Sequence, residues 1–445
     1  CALLTSEEVQ AQCAKFENTP RPVDTPPVGN MKHESWVPQG CRLVQVVAKS
    51  ESPRMADTSN IIRSPIHGIF PSTKKPAHIK PDATHSPFKM AVHEYFQPHA
   101  KTQPQDKKIL EHVVTYIKQH KIQKTRSNRT LTFLEALNTP LDMLTRSTMV
   151  INTASGYPNC IKPGHGPGKS DFIVTIAWVL ANAQEFSEED RAHYTKWLLR
   201  APQDASEEYK LPTPLCISAM IIYFQNIIKG TKARAIACDF MKDELRSNSK
   251  VDEWKTRIVS SLPVEVIIAY RMFFACYEDE QATDYIRSWC NAGINPLSPD
   301  WKAFRDSMGE RDPDRNPVTY ALDAKFWDKS LREWTSLAHD ECVLSFFDDE
   351  PSVDEFVYDE EFRFITGHED TIRKAILQDC STNIHIVGGG HIIATENHGP
   401  SGAPNTVTRG STLFPTSTMP NNGVLYSQTL VRIKLLTSME YLTLL

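Results

Sequence analysis

The sequence predicts an α+β fold, and three observations support this prediction. Apolar residues recur at helical spacing in several segments, at residues 106–122, 131–143, 170–182, 217–228 and 264–277. Residues 318–326 (VTYALDAKF) alternate like a buried strand, and residues 385–394 (HIVGGGHIIA) have the glycine turn of a hairpin. A chain of 445 residues with 40% hydrophobic composition is long enough to bury a large core in two or three lobes.

Composition limits the class of protein. The formal net charge of -5 excludes a uniformly basic nucleic-acid binder, so affinity for a polyanion must come from local patches. The ten cysteines form no CxxC pair and no His/Cys metal spacing, which favours reduced thiols over a disulfide framework. No signal peptide and no apolar run of membrane-spanning length are found.

The beginning of the chain is extended rather than helical over most of its length. The pattern of residues 1–15 predicts a short strand followed by a helix start. Residues 16–62 are rich in Pro, Ser and Asp, which is typical of a linker. Residues 63–81 contain too many prolines for a helix and predict an ordered, extended arm. Since the chain starts with Cys and stops at EYLTLL, we expect it to be a piece of something longer.

A run of cations is the strongest local signal. Within sixteen residues the sequence KDELRSNSKVDEWKTR places Lys242, Arg246, Lys250, Lys255 and Arg257. Lys offers a point charge and Arg a planar fork to phosphate oxygens, so the run predicts a polyanion-binding face. The alternative is a solvated helix face, because acidic residues are interleaved at Asp243, Glu244, Asp252 and Glu253.

Two aspartates follow at the end of the predicted strand, Asp323 at its terminus and Asp328 near the next helix start. Transfer of a phosphoryl group uses Mg²⁺ ions held by carboxylate oxygens on rigid backbone. Asp323 is therefore a candidate metal ligand, and Asp328 would face a sugar. Taken alone, the pair also fits a solvated strand end.

A tight turn follows further along the chain, at Ser401 and Gly402, with Thr406 shortly after. Gly402 allows the backbone to approach a ligand closely. The hydroxyls of Ser401 and Thr406 could bond a ribose 2′-OH, the group that separates RNA from DNA. A plain surface loop is the alternative.

These signals, in this order, resemble the motifs of picornavirus-type RNA-dependent RNA polymerases. The segment 242–263 resembles motif F of that family, ALDAKFWDKSL resembles motif A, and GPSGAPNT resembles motif B. SGYP at residues 155–158 resembles a fingers motif, and the arm at 63–81 resembles that of dicistrovirus-like and marnavirus-like members. The resemblance implies that the five cations contact a triphosphate, that Asp323 binds metal, and that Asp328 reads the ribose together with motif B.

The chain departs from the family pattern at two places. The family has an Asn nine residues after the motif B Ser, and position 410 is Gly here. The Gly-Asp-Asp of motif C is absent, and Phe347-Asp348-Asp349 is no substitute because it lies between motifs A and B in an acidic stretch (348–361) expected to be a solvated insertion. We therefore expect the polypeptide to be inactive on its own, with frameshifted or foreign sequence after about residue 408.

The resemblance implies a right-hand polymerase with helical fingers and an antiparallel-sheet palm, its thumb absent. The predicted regions are as follows: 1–15, tail of a preceding chymotrypsin-like cysteine protease; 16–62, linker; 63–272, fingers; 273–338, palm with motif A; 339–398, fingers insertion; 399–445, palm with motif B and a divergent end.

The function implied is RNA-directed RNA synthesis, as the polymerase region of a picorna-like virus polyprotein. Its cofactor would be Mg²⁺ or Mn²⁺, and its partners an RNA template and primer, nucleoside triphosphates and viral replication proteins. Its location would be the host cytoplasm, at membrane-associated replication complexes. The alternative is a non-catalytic RNA-binding remnant of an integrated viral sequence. A DNA-copying polymerase is disfavoured because hydroxyls suited to reading a 2′-OH are present.

Overall fold

The computed structural model describes most of the chain between residues 37 and 404. The described residues are 37–38, 40–53, 58–62, 72–96, 111–112, 114–115, 118–119, 130–139, 148–161, 168–283, 297–307, 333–347, 358–396, 400–401 and 403–404. The predicted protease tail (1–15), Asp323, Asp328, Gly402 and Thr406 lie outside them.

Helices make up most of the described elements. In chain order they are α1 (Pro87–Tyr95), α2 (Phe133–Asn138), α3 (Ile176–Asn182), α4 (Glu188–Arg200), α5 (Pro214–Ile228), α6 (Asn248–Asp252), α7 (Val264–Thr283), α8 (Pro299–Ser307), α9 (Glu333–Leu344) and α10 (Glu369–Cys380). Short 3₁₀ turns occupy Lys49–Glu51, Asn159–Ile161, Ser345–Phe347, Glu360–Ile365 and Gly388–Gly390.

The described strands form one five-stranded sheet and two small ladders. They are β1 (Arg42–Val46), β2 (Lys74–Pro76), β3 (Ile173–Thr175), β4 (Lys210–Pro212), β5 (Ala237–Met241), β6 (Leu245–Ser247), β7 (Ile258–Ser261), β8 (Ile384–Val387) and β9 (His391–Ala394). The large sheet has the order β1-β9-β8-β5-β7, and β2 pairs with β6 and β3 with β4. All its pairs are antiparallel except β5 with β8, so this sheet is mixed.

The largest apolar core is built around α7. Nearly every side of this helix is buried, including Phe273 and Phe274, and it packs against α2, α5 and α10. Phe362 lies between these helices and stacks on Phe133 with ring centroids 5.3 Å apart. A helix that is apolar all round belongs in the interior, which is the position that α7 takes.

Several predicted elements are confirmed, and two need correction. The helices at 217–228 and 264–277 and the hairpin at 385–394 are present, as α5, α7 and β8–β9. The predicted helix 170–182 is helical only from Ile176, because the buried residues before it form β3 and Thr175 caps α3. The predicted helix 131–143 is α2, which ends at Asn138, since Thr139 is extended before Pro140.

The extended beginning of the chain is more structured than a linker. Within the predicted linker, β1 pairs with β9 at the edge of the large sheet, so the expectation is wrong for residues 42–46. Its five residues are all exposed, which explains why no alternating apolar pattern marks it. In the predicted arm, β2 is an extended strand paired with β6, as expected for the described part.

The acidic stretch is anchored to the core where the structure describes it. Glu361 pairs with Lys196 at 2.6 Å and with Arg200 at 2.9 Å. Asp359 accepts a hydrogen bond from the backbone N–H of Phe133 at 2.9 Å, at the start of α2. Residues 359–361 are therefore part of an ion-pair network, and the expectation of a solvated insertion is wrong there.

Candidate functional site

The cation run lies in an excursion between strands β5 and β7. Met241 is paired with Ile258 at the end of the ladder, and the N–H of Lys242 donates to the carbonyl of Arg257 at 2.8 Å. This extra bond extends the ladder by one step and sets Lys242 beside Arg257. Antiparallel pairing thus brings together two cations that are fifteen positions apart in the sequence.

Glu244 lies at the centre of the cations, forming what we call the Glu244 cluster with Lys242, Arg246 and Arg257. Arg257 donates through Nε at 2.5 Å and through a second nitrogen, while Arg246 lies at 3.3 Å and Lys242 at 3.5 Å from the carboxylate. Burial alone would raise the pKa of Glu244, but the hydrogen bond from Arg257 and the surrounding positive charges outweigh it and lower the pKa.

The Glu244 cluster is half open to solvent. The side chains of Lys242 and Arg257 are each 50% exposed, whereas those of Glu244 and Arg246 are 14% exposed. One carboxylate therefore holds three cations, two of which present free surface. Because the positive charges outnumber the negative, the cluster is suited to bind an anion with several oxygens.

Lys250 and Lys255 extend the positive surface beyond the Glu244 cluster. Lys250 is exposed in α6 and has no ion pair within the described residues. Lys255 pairs with Glu253 at 2.5 Å, and this hydrogen bond raises the pKa of Lys255. The N–H of Lys255 donates to the carbonyl of Lys250 at 2.9 Å, so one turn carries both side chains.

The arm holds this excursion in place through Trp254. The Trp254 ring is stacked between His78 at 4.0 Å and His85 at 4.5 Å, centroid to centroid. The backbone of Trp254 is left-handed, with φ 58°, which an ordinary side chain adopts only when its surroundings fix it. The hydroxyl of Thr256 donates to the carbonyl of His78 at 2.6 Å, adding a second tie.

Further backbone bonds join the arm to the cations. Lys75 is opposite Arg246 in the β2–β6 ladder, and the N–H of Ala77 donates to the carbonyl of Glu244 at 2.9 Å. Sequence reasoning recognised an ordered arm but missed this contact and the roles of Glu244 and Trp254. The signal available was a lone tryptophan inside a charged run, which no helical or strand period explains.

The Ser-Gly turn meets the same sheet. The N–H of Ser260, in β7, donates to the Ser401 hydroxyl oxygen at 3.1 Å. Arg257 immediately precedes β7, so the strand that contacts the predicted sugar-reading hydroxyl begins next to one of the predicted phosphate contacts. Of the predicted site residues, the structure gathers Lys242, Arg246 and Arg257 around Glu244, places Lys250 and Lys255 in one turn, and joins Ser401 to β7.

The SGYP motif at residues 155–158 contacts the junction between β7 and α7. The carbonyl of Ser155 accepts from the N–H of Val264 at 2.9 Å, and Gly156 has φ +76°. A Cβ on Gly156 would stand 2.2 Å from the carbonyl oxygen of Leu262, so no other residue fits there. The motif therefore holds in position the end of the strand that carries Ser260.

Next to β7 in the large sheet, strands β5 and β8 share a buried polar pair. His385 Nδ1 lies 3.1 Å from Asp239 Oδ1, and both side chains are almost fully buried. Asp239 is opposite Ser260 in the ladder, which places this pair on the strand next to the one that contacts Ser401. A partnered buried carboxylate of this kind fixes the local strand register.

The predicted metal ligand cannot be placed among these residues, since Asp323 lies outside the described ranges. Within the described residues no group of three or more His, Cys, Asp or Glu side chains is arranged to hold a metal ion. In the same part of the chain, no helix combines the length and the apolar character needed to cross a bilayer.

Comparison with known proteins identifies the family of this chain. The model of the family "Viral RNA-dependent RNA polymerase" matches residues 37–414, which is well over half of the chain. The chain belongs to this family, and the resemblance to picornavirus-type polymerases is confirmed.

Individual relatives are distant and much longer. The replicase polyprotein of acute bee paralysis virus is 31% identical over 186 residues, covering 41% of this chain and 8% of that polyprotein. The genome polyprotein of human parechovirus 5 is 29% identical over 134 residues, or 29% of this chain and 6% of the polyprotein. The chain thus matches less than a tenth of the length of either relative.

A solved structure establishes the fold. The Sicinivirus 3Dpol RNA-dependent RNA polymerase superposes with a TM-score of 0.54 at 18% sequence identity, covering 85% of this chain and 67% of that one. The predicted right-hand polymerase fold of the α+β class is therefore confirmed.

Proposed function

We propose that this chain is the polymerase region of a picorna-like virus polyprotein and copies an RNA template into RNA. The observation that carries the proposal is the Glu244 cluster, whose two half-exposed cations lie at one end of the β5–β7 ladder, while Ser260 of β7 contacts Ser401. A triphosphate carries several negative oxygens next to a ribose. A site that offers cations and a hydroxyl along one strand matches that arrangement.

The cations act first in this mechanism. Lys242 and Arg257 exchange the Glu244 carboxylate for phosphate oxygens of the incoming nucleotide, while Arg246, Lys250 and Lys255 neutralise its remaining charge. Ser401, Gly402, Thr406 and Asp328 then read the ribose, with the Ser401 hydroxyl leaving the N–H of Ser260 for the sugar. Holding the triphosphate in line with the primer end supplies the positioning on which phosphoryl transfer depends.

Asp323 is proposed to hold Mg²⁺, or Mn²⁺ in its place. When bound, such an ion would stabilise the negative charge that develops on the oxygens during phosphoryl transfer. The sequence supplies no Gly-Asp-Asp for the second carboxylate. We therefore propose that the 445-residue polypeptide binds nucleotide but does not by itself extend a primer.

The proposal also covers the partners of the chain and its location in the cell. The RNA template, the primer and the nucleoside triphosphates are the substrates, and viral replication proteins are further partners. The site of action would be the host cytoplasm at membrane-associated replication complexes. The second candidate function is a non-catalytic RNA-binding remnant, for which the cations of the Glu244 cluster would suffice.

Nucleotide binding and primer extension together separate the two functions. We expect the full chain to bind ATP, and the variant Arg257→Gln to weaken binding about tenfold through loss of a charged hydrogen-bond donor. Arg191→Gln, at an exposed position of α4, serves as the charge-matched control and should change nothing. Binding can be measured by isothermal titration calorimetry.

Two results would count against nucleotide binding by the Glu244 cluster. RNA binding without any affinity for ATP would support the remnant, and equal loss in both variants would remove the role of the Glu244 cluster. In a primer-extension assay with Mg²⁺, incorporation that Asp323→Ala abolishes would establish the polymerase and overturn the proposed inactivity of the polypeptide alone.

A further inference from the structure

A second positive site lies away from the Glu244 cluster, in a cavity between α10 and the loop that follows α5. The loop comprises residues 229–235, and the cavity has a volume of about 330 Å³. Its walls include Lys232 and Arg234 from the loop, and Thr371, Lys374 and Gln378 from α10. We call it the basic cavity. Its volume falls in the range of small-ligand sites.

One wall of the basic cavity contains a buried ion pair that ties the loop to α10. The Asp379 carboxylate accepts hydrogen bonds from the Tyr223 hydroxyl and Lys232 Nζ at 2.8 Å and from the N–H of Ala235 at 2.9 Å. Its side chain is 2% exposed, and that of Lys232 is 15% exposed. Because the carboxylate is fully engaged, it presents no open negative charge to the cavity.

Two other cations of the basic cavity remain available. Arg234 and Lys374 are both exposed, and neither has an ion pair within the described residues. Lys229, also exposed, begins the same loop. The cavity therefore has a positive balance, with Lys232 and Asp379 cancelling each other.

The turn at Gly230 leaves the mouth of the cavity open. Gly230 has φ +67°, and a Cβ built on it would meet no atom within 4 Å. Its N–H and that of Thr231 donate to the carbonyls of Ile227 and Asn226, both at 2.9 Å. These caps occupy carbonyls at the C-terminal end of α5, which would otherwise repel an anion.

The lining chemistry identifies the ligand class. Apart from the charged groups, the described walls offer the Thr371 hydroxyl and the Gln378 amide, and no aromatic ring on which a base could stack. Fixed cations with small polar donors bind phosphate oxygens and leave the base unread.

We infer that the basic cavity binds the phosphodiester backbone of RNA without regard to sequence, as a contact separate from the Glu244 cluster. This inference rests on the proposed function, which makes RNA the substrate. An acidic segment of a partner protein is the competing ligand, and the experiment below separates it.

The test is the salt dependence of RNA binding by the full chain, followed by fluorescence anisotropy with a labelled oligouridylate. Removing a phosphate contact to single-stranded RNA lowers the slope of log K against log salt by about 0.7, which corresponds to about fivefold in affinity per cation at 0.1 M salt. We expect the double variant Arg234→Gln/Lys374→Gln to lose roughly twice this slope. Arg191→Gln/Lys302→Gln removes two exposed cations elsewhere and should retain the wild-type slope.

Each other result overturns the inference. An unchanged slope in the cavity variant, or an equal loss in the control, would remove the RNA contact. Loss of binding to oligoglutamate with retained RNA binding would assign the cavity to an acidic protein. If wild-type chain binds ATP and RNA but the cavity variant is indistinguishable from it, only this inference fails; if wild-type chain binds neither, the proposed function fails as well.

Discussion

Asp379 and Glu244, two carboxylates in the described part of the chain, pair with cations in opposite settings. Asp379 is buried and joins Lys232, Tyr223 and the backbone of Ala235, all within one packed region. Glu244 holds three cations on an excursion between strands, two of them half exposed. The same interaction type therefore forms a fixed part of the core in one place and a solvent-facing cluster in the other.

Burial decides which role each carboxylate has. A buried carboxylate whose partners are removed stays desolvated, so it must be paired for the fold to persist. An exposed pair is worth little because water and salt compete with it. The partners of Glu244 can accordingly change from carboxylate to phosphate at small cost, whereas those of Asp379 cannot.

The largest predicted effect is at Asp379. Asp379→Ala leaves Lys232 and the N–H of Ala235 without their acceptor, and we expect a loss of about 3–5 kcal/mol in the free energy of unfolding. Urea denaturation followed by circular dichroism measures it. The variant Glu189→Ala, at an exposed position of α4, should change stability by about 0.5 kcal/mol or less. A similar loss in both variants would contradict the distinction.

How far the sequence could foretell this structure depends on how local the signal is. The apolar run of α7 and the glycine turn between β8 and β9 are local, and both were predicted correctly. Strand β1 was missed because its partner β9 lies more than three hundred residues later and its own residues are exposed. For residues 172–174, apolar character fits helix and strand equally, so tertiary pairing with β4 decided the outcome.

The candidate site shows the same contrast between local signals and contacts between distant segments. The five cations and Ser401 could be named from their order along the chain, because each lies in a contiguous motif. Arg257 reaches Glu244 because β5 pairs with β7, and the stacking of Trp254 between His78 and His85 depends on how the arm folds back. Such contacts between distant segments leave no spacing pattern.

The ion pairs of Glu361, whose cationic partners are of intermediate exposure, give the next largest effect. The side chain of Glu361 is 16% exposed and bonds Lys196 and Arg200. Burial by itself would raise the pKa of Glu361, but the two hydrogen bonds and the charge of Arg200 lower the pKa to about 2. Because the folded-state pKa is below that of the unfolded chain, this stabilisation is present above about pH 4.5 and is lost as pH falls towards 2.

Comparing the wild type with a variant that lacks the Glu361 carboxylate isolates this pH dependence. We expect Glu361→Gln to cost about 1 kcal/mol at pH 7 and nothing at pH 2, measured by urea denaturation at a series of pH values. Glu360→Gln, whose side chain is 67% exposed, is the neighbouring control and should leave the pH profile as it is. A Glu361→Gln profile parallel to that of the wild type would show that the pair contributes nothing.

The smallest effect on stability, and the most informative about function, is expected at Glu244. Glu244→Gln removes the carboxylate that competes with an incoming anion for Lys242 and Arg257. We expect stability to change by less than about 1 kcal/mol, since those cations are half exposed, while the Kd for ATP falls about fivefold. Glu253→Gln, which frees only Lys255, is the matched control and should alter the Kd by less than about twofold. Calorimetric titration of the two variants decides the matter. If ATP binds more weakly to Glu244→Gln than to the wild type, the carboxylate positions the cations for the triphosphate rather than competing with it, and the Glu244 cluster resembles the buried Asp379 site in being a fixed assembly.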